Sequence, residues 1–144
     1  MYFKSTVAHY ELDDNGRERR ELTVFLVNAQ SYTEAEARTV QAATEQFRRF
    51  AVDKVVKTKI SSIIDPQGAD AFYLVKTKSV IFDEESAKEL NSVTETMVNA
   101  QSVFEAIEKQ AKENAGYLYS AEIISAALTP VTEIIEKSED EIDF

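Results

Sequence analysis

The stretch LVNAQSYTEAEA at residues 26–37 recurs with few changes as MVNAQSVFEAIE at residues 97–108. The pentapeptide VNAQS is identical in the two copies, and the Glu-Ala pair that follows it is kept. Self-similarity of this kind within one chain indicates an internal duplication. We therefore expect the chain to be built from two versions of one unit.

Two extended segments joined by a polar turn precede each copy of the pentapeptide. The turns are DDNG at residues 13–16 and DEES at residues 83–86. Asn15-Gly16 is the two-residue sequence most typical of a β-hairpin. A third β-rich run follows at residues 53–66 and again at residues 117–130, and a proline, which cannot donate to a strand ladder, ends each run. The pattern therefore predicts three strands in each half of the chain.

A helix is expected directly after each pentapeptide. Ser31 with Glu34, and Ser102 with Glu105, have the spacing of capping boxes, in which the hydroxyl and the carboxylate bond to unpaired backbone amides at a helix start. The small alanine in VNAQS allows this helix to close on the sheet. The predicted fold is α+β: two tandem ββαβ repeats form one pseudo-symmetric domain, with an antiparallel sheet, helices on one face and the other face open.

The predicted boundaries follow from the same alignment. Residues 1–130 form the duplicated domain, with repeat one at 1–66 and repeat two at 71–130, and residues 131–144 form a flexible acidic tail. This tail holds six acids against one lysine, whereas residues 48–78 hold seven basic side chains against three acids. The net charge of −10 taken alone disfavours nucleic acid, but a basic middle beside an acidic end is compatible with it.

The composition argues against catalysis and against a membrane location. The chain has no cysteine and a single histidine, His9, which we interpret as structural on the inner face of the first strand. The glycines show no phosphate-binding arrangement, so we predict no enzymatic activity, no cofactor and no metal. No apolar run approaches the roughly 20 residues that span a bilayer, and the N-terminus lacks the features of a signal peptide. We expect a cytoplasmic protein that forms a homo-oligomer.

A surface for single-stranded nucleic acid needs aromatic rings for base stacking and positive charge for the backbone. Alternation along the first strand turns Phe3 toward the helices, and a two-residue turn at Asn15-Gly16 adds Leu22, Val24 and Leu26 to the same face. A single bulge or register slip would exchange these faces. The residues predicted to point away from the helices and to contact nucleic acid are Tyr2, Lys4, Tyr10, Lys57, Lys59, Phe72, Lys76, Lys78, Phe82, Tyr117 and Tyr119.

Most of the chain resembles a domain-of-unknown-function family of Bacteroides-type bacteria and their phages. The resemblance is carried by YFKSTVAHYE, NGRERRELTVFLVNAQSYTEAEA, FYLVKTKSVIFDEE and SAALTPVTEII. It implies a duplicated α+β fold and an association with phages or mobile genetic elements. The family brings no catalytic residues, and EKSEDEIDF is not part of its pattern.

The last seven residues, SEDEIDF at 138–144, resemble the acidic tip of bacterial and phage single-stranded-DNA-binding proteins. That resemblance implies recruitment of replication or repair proteins, and binding of the tip to the protein's own basic surface when DNA is absent. A solvated end without a partner is the alternative interpretation. The predicted docking residues are Glu139, Asp140, Glu141, Ile142, Asp143 and Phe144.

These features together predict a phage-type protein that binds single-stranded DNA without sequence preference and recruits partners through its tip. One alternative is a phage counter-defence protein that sequesters a nucleotide signal or blocks a host protein. Another is an adaptor in which the tail is the only functional element.

Overall fold

The computed structural model describes residues 1–136. Within this range the chain forms two helices and two four-stranded sheets, so the predicted α+β class is confirmed. In chain order the elements are β1 (Tyr2–Leu12), β2 (Glu18–Asn28), α1 (Tyr32–Gln46), β3 (Phe50–Lys57), β4 (Ile60–Ile64), β5 (Ala71–Asp83), β6 (Lys88–Ala100), α2 (Val103–Asn114), β7 (Ser120–Leu128) and β8 (Val131–Ile135).

The chain divides into two compact units. Unit 1 contains Met1–Thr58 together with the described residues from Pro130 onward, and unit 2 contains Lys59–Thr129. The sheet of unit 1 has the order β3-β1-β2-β8, and the sheet of unit 2 has the order β4-β6-β5-β7. The prediction of an antiparallel sheet is correct only in part, because β8 runs parallel to β2 and β4 runs parallel to β6.

The third β-rich run of the first half is two strands rather than one. β3 ends where the backbone N–H and the hydroxyl of Thr58 both donate to the carbonyl oxygen of Tyr2, at 3.0 and 2.8 Å. The chain then continues into unit 2 as β4. In the same way, Thr129 donates twice to the carbonyl oxygen of Phe72, and β8 follows in unit 1. Residues 131–135, which the sequence assigned to the tail, are therefore a sheet strand.

Both helices begin where the capping boxes predict. The Ser31 hydroxyl accepts from the N–H of Glu34 at 3.1 Å, and the Ser102 hydroxyl accepts from the N–H of Glu105 at the same distance. In α1 the carboxylate of the box reaches one residue beyond the cap, because Glu34 Oε2 accepts from the N–H of Gln30 at 3.0 Å. These bonds satisfy amides that have no partner inside the helix.

The turn between β1 and β2 is one residue longer than predicted, and this changes one face of the sheet. Asp13 and Arg17 bracket it, the Asp13 carbonyl accepts from the N–H of Gly16, and Gly16 has φ +76°. The Asp13 carboxylate adds two bonds, to the backbone N–H groups of Asn15 and Arg17. This is a three-residue hairpin loop that closes through a left-handed glycine.

An odd loop length places the opposite set of β2 side chains beside Phe3. Phe3 faces α1 as predicted, but Val27 lies opposite Phe3, and Phe25 lies opposite Ser5. The predicted partners Leu22, Val24 and Leu26 are therefore on the other face, since a shift of one residue reverses every side chain of a strand. The core between the sheet of unit 1 and α1 contains Phe3, Val7, Phe25, Val27, Ala29, Ala35 and Ala43.

The sheet face opposite α1 is not open, in contrast to the prediction. At its centre Leu26 is 0% exposed and Val24 is 7% exposed, and Thr6 and Ala8 of β1 are also buried. Residues available to a ligand on this face therefore lie toward the strand ends. Neither α1 nor α2 is long and apolar enough to cross a membrane.

Candidate nucleic-acid interface

The strongest combination of an aromatic ring and positive charge lies at the hairpin end of unit 1. Tyr10 is near the end of β1, and its backbone N–H donates to the carbonyl oxygen of Arg49 in the loop after α1. This bond brings the Arg49 guanidinium over the tyrosine ring, with Cζ 4.4 Å from the ring centroid. Arg20 of β2 lies directly opposite Tyr10 in the ladder. We name Tyr10, Arg20 and Arg49 the Tyr10 cluster.

The arginines of the Tyr10 cluster are paired with carboxylates that are themselves exposed. Arg49 Nη1 lies 2.7 Å from Glu18 Oε1, and Arg20 Nη2 lies 3.5 Å from Asp53 Oδ1. All four side chains are between 45 and 68% exposed. Exposed pairs of this kind contribute little to stability, so a phosphate can replace the carboxylate at small cost. The cluster is therefore suited to exchange an internal anion for an external one.

Tyr2 and Lys4, predicted for the same interface, lie toward the opposite end of β1. The Tyr2 hydroxyl donates to Glu136 Oε1 at 3.2 Å, and Asn28 Nδ2 donates to the other oxygen of that carboxylate at 2.9 Å. Burial, followed by the charge and hydrogen bond of Glu136, raises the pKa of Tyr2 above its ordinary value. Tyr2 thus anchors the residue that follows β8. Lys4 is partly buried opposite Leu26.

Two of the predicted lysines do not point away from the helices on a strand. Lys57 lies opposite Phe3 and therefore on the face that α1 covers, because β3 pairs with β1 in that register. Lys59 lies between β3 and β4, outside both strands. Both lysines are exposed. The predicted positions are wrong because the register of β3 on β1 sets the face of Lys57, and because the run at 53–66 is interrupted at Lys59.

In unit 2 the predicted alternation of β5 is correct, but the environment of the side chains differs from the prediction. Phe72 is only 4% exposed, so its ring is not available for base stacking. Lys76 and Lys78 are partly exposed, and each lies opposite an acid on a neighbouring strand, Glu95 and Glu122 respectively.

Phe82 is 61% exposed, and it lies one residue before the end of β5 with Glu89 opposite it. The outward face of unit 2 therefore carries mixed rather than positive charge. Phe82 stays a candidate for stacking at the hairpin end of that unit.

Tyr117 and Tyr119 form a stacked pair in the loop between α2 and β7. Their ring centroids are 5.1 Å apart and the ring planes make an angle of 21°. Burial, followed by the nearby charge of Glu113, raises the pKa of Tyr117. Both rings border an open depression of about 630 Å³ together with the end of α2 and the start of β7. They lie at the end of the helix rather than in the third strand, where the sequence placed them.

His9 is a buried and fully bonded residue, in line with its structural interpretation. It is 5% exposed, its ring stacks on Phe47 at 3.9 Å between centroids, and its nitrogens lie 3.0 Å from Glu11 Oε1 and 2.8 Å from Thr23 Oγ1. Among the described residues, no group of three or more acidic or histidine side chains is placed to hold a metal ion. The predicted docking tip, from Glu139 to Phe144, lies outside the described residues.

Arg49 is the residue that sequence reasoning missed. Arg48 and Arg49 directly follow α1 in the sequence, far from Tyr10, and their proximity arises only from the pairing of β3 with β1. Arg20 carried a weaker signal, because it stands in the basic start of β2 beside Glu18 and Glu21. The pairing partners of both arginines are decided by the tertiary fold.

A family model described as a domain of unknown function (DUF4494) matches residues 1–137. The chain belongs to this family. The match covers the elements of both units and ends before SEDEIDF, so the acidic tip at 138–144 lies beyond the matched segment. No curated protein and no solved structure shows significant similarity to the chain.

Proposed function

We propose that this protein binds single-stranded nucleic acid without sequence preference, and that its acidic C-terminal tip recruits replication or repair proteins. The observation that carries the proposal is the guanidinium of Arg49 over the Tyr10 ring, with Arg20 on the neighbouring strand. The Tyr10 ring is partly exposed and could stack on a base, and the arginines supply charge for phosphates. Stacking tolerates every base, and guanidinium contacts to phosphate carry no sequence information.

The position of β8 limits how the tip can act on the Tyr10 cluster of its own chain. Glu136 is bonded to Tyr2, and Tyr10 lies eight positions further along β1 than Tyr2, a distance of about 26 Å. The eight residues 137–144 span at most about 28 Å when fully extended. The tip can reach the cluster only when it is nearly straight. We therefore expect partner recruitment to be its main role, and intramolecular competition with DNA to be weak.

Fluorescence anisotropy with a labelled thymidine oligonucleotide at two or more salt concentrations tests the proposal. Tyr10→Ala should weaken binding by roughly 1–3 kcal/mol through the lost stacking. Arg49→Ala should lower the slope of log affinity against log salt by about 0.7, the value of one phosphate contact on a single strand. Lys88→Ala removes an exposed cation at the start of β6 and should leave both quantities unchanged.

A second variant compares the Tyr10 cluster with the lysines that the sequence predicted for the interface. Joint replacement of Lys57, Lys59, Lys76 and Lys78 by alanine should have a smaller effect than Arg49→Ala alone, because Lys76 and Lys78 lie opposite acids. A larger effect would move the binding surface away from the Tyr10 cluster. If the wild-type chain shows no salt-dependent binding to the oligonucleotide, the protein is not a single-stranded nucleic-acid-binding protein.

A second candidate function is sequestration of a small nucleotide, as expected of a phage counter-defence protein. The stacked Tyr117–Tyr119 pair beside an open depression favours it, since aromatic side chains can stack on planar bases. Titration calorimetry with a panel of mono- and cyclic dinucleotides tests it. Tyr119→Ala should abolish any binding, whereas Tyr10→Ala should not affect it.

We also propose that the two units arose by duplication, so that the fold is pseudo-symmetric. The support is the shared VNAQS sequence, the matched serine caps, and the paired threonines that donate twice to Tyr2 and Phe72. A carboxylate follows each parallel edge strand, Glu136 after β8 and Asp65 after β4.

A location in the bacterial cytoplasm, interaction with replication proteins and an association with phages are part of the proposal that this protein binds single-stranded nucleic acid.

A further inference from the structure

Helix α2 exposes an apolar stripe that no part of the nucleic-acid proposal uses. Phe104 is 80% exposed and Ile107 is 37% exposed, and Ala111 and Ala115 are exposed on the same face. The spacings of three, four and four residues place these side chains in one line along the helix. Leu118, in the loop that follows, has its entire side chain in solvent.

Three of the four corresponding positions of α1 are polar. Alignment on VNAQS matches Phe104, Ile107, Ala111 and Ala115 with Thr33, Glu36, Val40 and Thr44. The side chains that pack each helix on its sheet are on another face, at Ala35 and Thr39 in α1 and at Ala106 and Gln110 in α2. The fold of one unit therefore does not require an apolar stripe here. Its presence in α2 alone indicates a surface that is covered by something else.

The stripe is complementary to itself when two copies of α2 run antiparallel. Its large side chains, Phe104 and Ile107, are in the first half of the helix, and its small ones, Ala111 and Ala115, are at the end. An antiparallel pair sets the large residues of each helix over the small residues of the other, as interdigitating packing requires. The same arrangement brings Leu118 of one copy near Phe104 of the other.

The charges that flank the stripe are complementary in the same arrangement. Glu108 and Lys112 are both exposed and neither forms an ion pair among residues 1–136. An antiparallel pair centred near Gln110 sets Glu108 of each copy opposite Lys112 of the other, which gives two intermolecular pairs. A parallel two-fold arrangement would instead place Glu108 and Lys112 of the two copies on opposite sides of the interface, where they could not pair.

We propose that the exposed face of α2 is the interface of a homodimer in which the two α2 helices pack antiparallel about a two-fold axis. The interface is isologous, so each copy contributes the same stripe. The proposal does not depend on nucleic-acid binding, because the Tyr10 cluster is in unit 1 and the stripe is in unit 2. The occupant of the stripe is a second copy of this chain.

Sedimentation velocity of the full chain without nucleic acid tests the dimer. The wild-type protein should sediment with twice the mass of one chain at high concentration and dissociate on dilution. Phe104→Glu should raise the dissociation constant by at least about tenfold, as expected when a central large apolar side chain is replaced by a charge. Thr33→Glu is the matched control at the same position of α1 and should change nothing. Both substitutions add an acid to a first helical turn, where it favours helix formation, so neither should unfold the protein.

Charge reversal tests the direction of the helices. Glu108→Lys and Lys112→Glu should each weaken the dimer, and the double variant should restore it, because only the antiparallel arrangement pairs these two positions. A wild-type chain that stays monomeric overturns the proposal. So does a dimer that persists in Phe104→Glu, or a double reversal that fails to recover.

Discussion

The two asparagines of the repeated VNAQS sequence have different surroundings. Asn99 is fully buried, and its side chain donates to the carbonyl oxygens of Ala69 and Ala71 and accepts from the N–H of Ala69. Asn28 instead donates to the exposed carboxylate of Glu136. The same residue type therefore ties the chain before β5 to the end of β6 in unit 2, and holds the end of β8 in unit 1.

Asn99→Ala should lower the free energy of unfolding by about 1–3 kcal/mol, because it removes the bonds that this fully buried side chain makes to the backbone of Ala69 and Ala71. Asn28→Ala, the matched change at an exposed bond, should cost less than about 1 kcal/mol. Urea unfolding followed by circular dichroism measures both, with the slope of the transition as a check on the denatured state. Equal losses would show that the burial of Asn99 adds nothing.

Tyr2 should ionise above the ordinary tyrosine range, since burial and the Glu136 carboxylate both raise its pKa. A pKa raised in the folded state stabilises the fold fully below the unfolded value of about 10, and this contribution is lost as the pH rises through the folded pKa. The near-ultraviolet absorbance of phenolate, compared between wild type and Tyr2→Phe, isolates this titration. Glu136→Gln should move the Tyr2 titration to lower pH. An unmoved titration would mean that burial alone sets the pKa.

The two hairpins differ in the residue that occupies the left-handed position of the turn. The β1–β2 loop has a glycine, Gly16, at its left-handed position. The β5–β6 loop has Ala87 at a positive φ of 54°, next to the Asp83–Lys88 pair that closes it. A residue with a Cβ atom is strained in this conformation, so the second turn is held by the ladder of β5 and β6.

Ala87→Gly should stabilise the protein by up to about 1 kcal/mol, because glycine adopts a positive φ without the clash that alanine has. Gly16→Ala is the converse change and should destabilise by about the same amount, although nothing lies within 4 Å of the added Cβ. Thermal unfolding of the two variants should give opposite shifts. Shifts of the same sign would mean that the φ of these residues does not govern the turns.

The whole molecule is organised by two strands that join the sheet of the other half of the sequence. β4 follows β3 of the first half and pairs with β6, and β8 follows β7 of the second half and pairs with β2. Val131 at the start of β8 is 5% exposed, and Ile135 packs against the core of unit 1. Residues at the C-terminal end of the described chain are therefore part of the fold of the N-terminal unit.

Truncation after Pro130 should destabilise unit 1 strongly, since it removes a whole edge strand and its buried side chains. Truncation after Glu136 keeps β8 and should leave the free energy of unfolding within about 0.5 kcal/mol of the wild-type value. Comparison of the two truncated chains by urea unfolding places the boundary between fold and tail. If the shorter chain is as stable as the longer one, β8 does not support unit 1.

The predictions for the interface residues are correct where they depend on local sequence and wrong where they depend on contacts between distant segments. Alternation along β5 was predicted correctly, since it depends on the strand alone, and Lys76 and Lys78 do lie on the face away from α2. The burial of Phe72 and the position of Lys57 were predicted wrongly, because they depend on what covers a face and on how β3 pairs. Arg49 could not be assigned, because it contacts Tyr10 across 39 positions of sequence.

The hairpins and the helix starts could be predicted from the sequence alone. Turn residues, serine caps and residue alternation act over a few positions, so their physics is contained in short segments. Only the tertiary structure decided where β4 and β8 pair, which side chains of β2 enter the core, and which rings and charges meet at Tyr10. Strand pairing is long-range, and a single residue added to one turn reverses every side chain of the strand that follows.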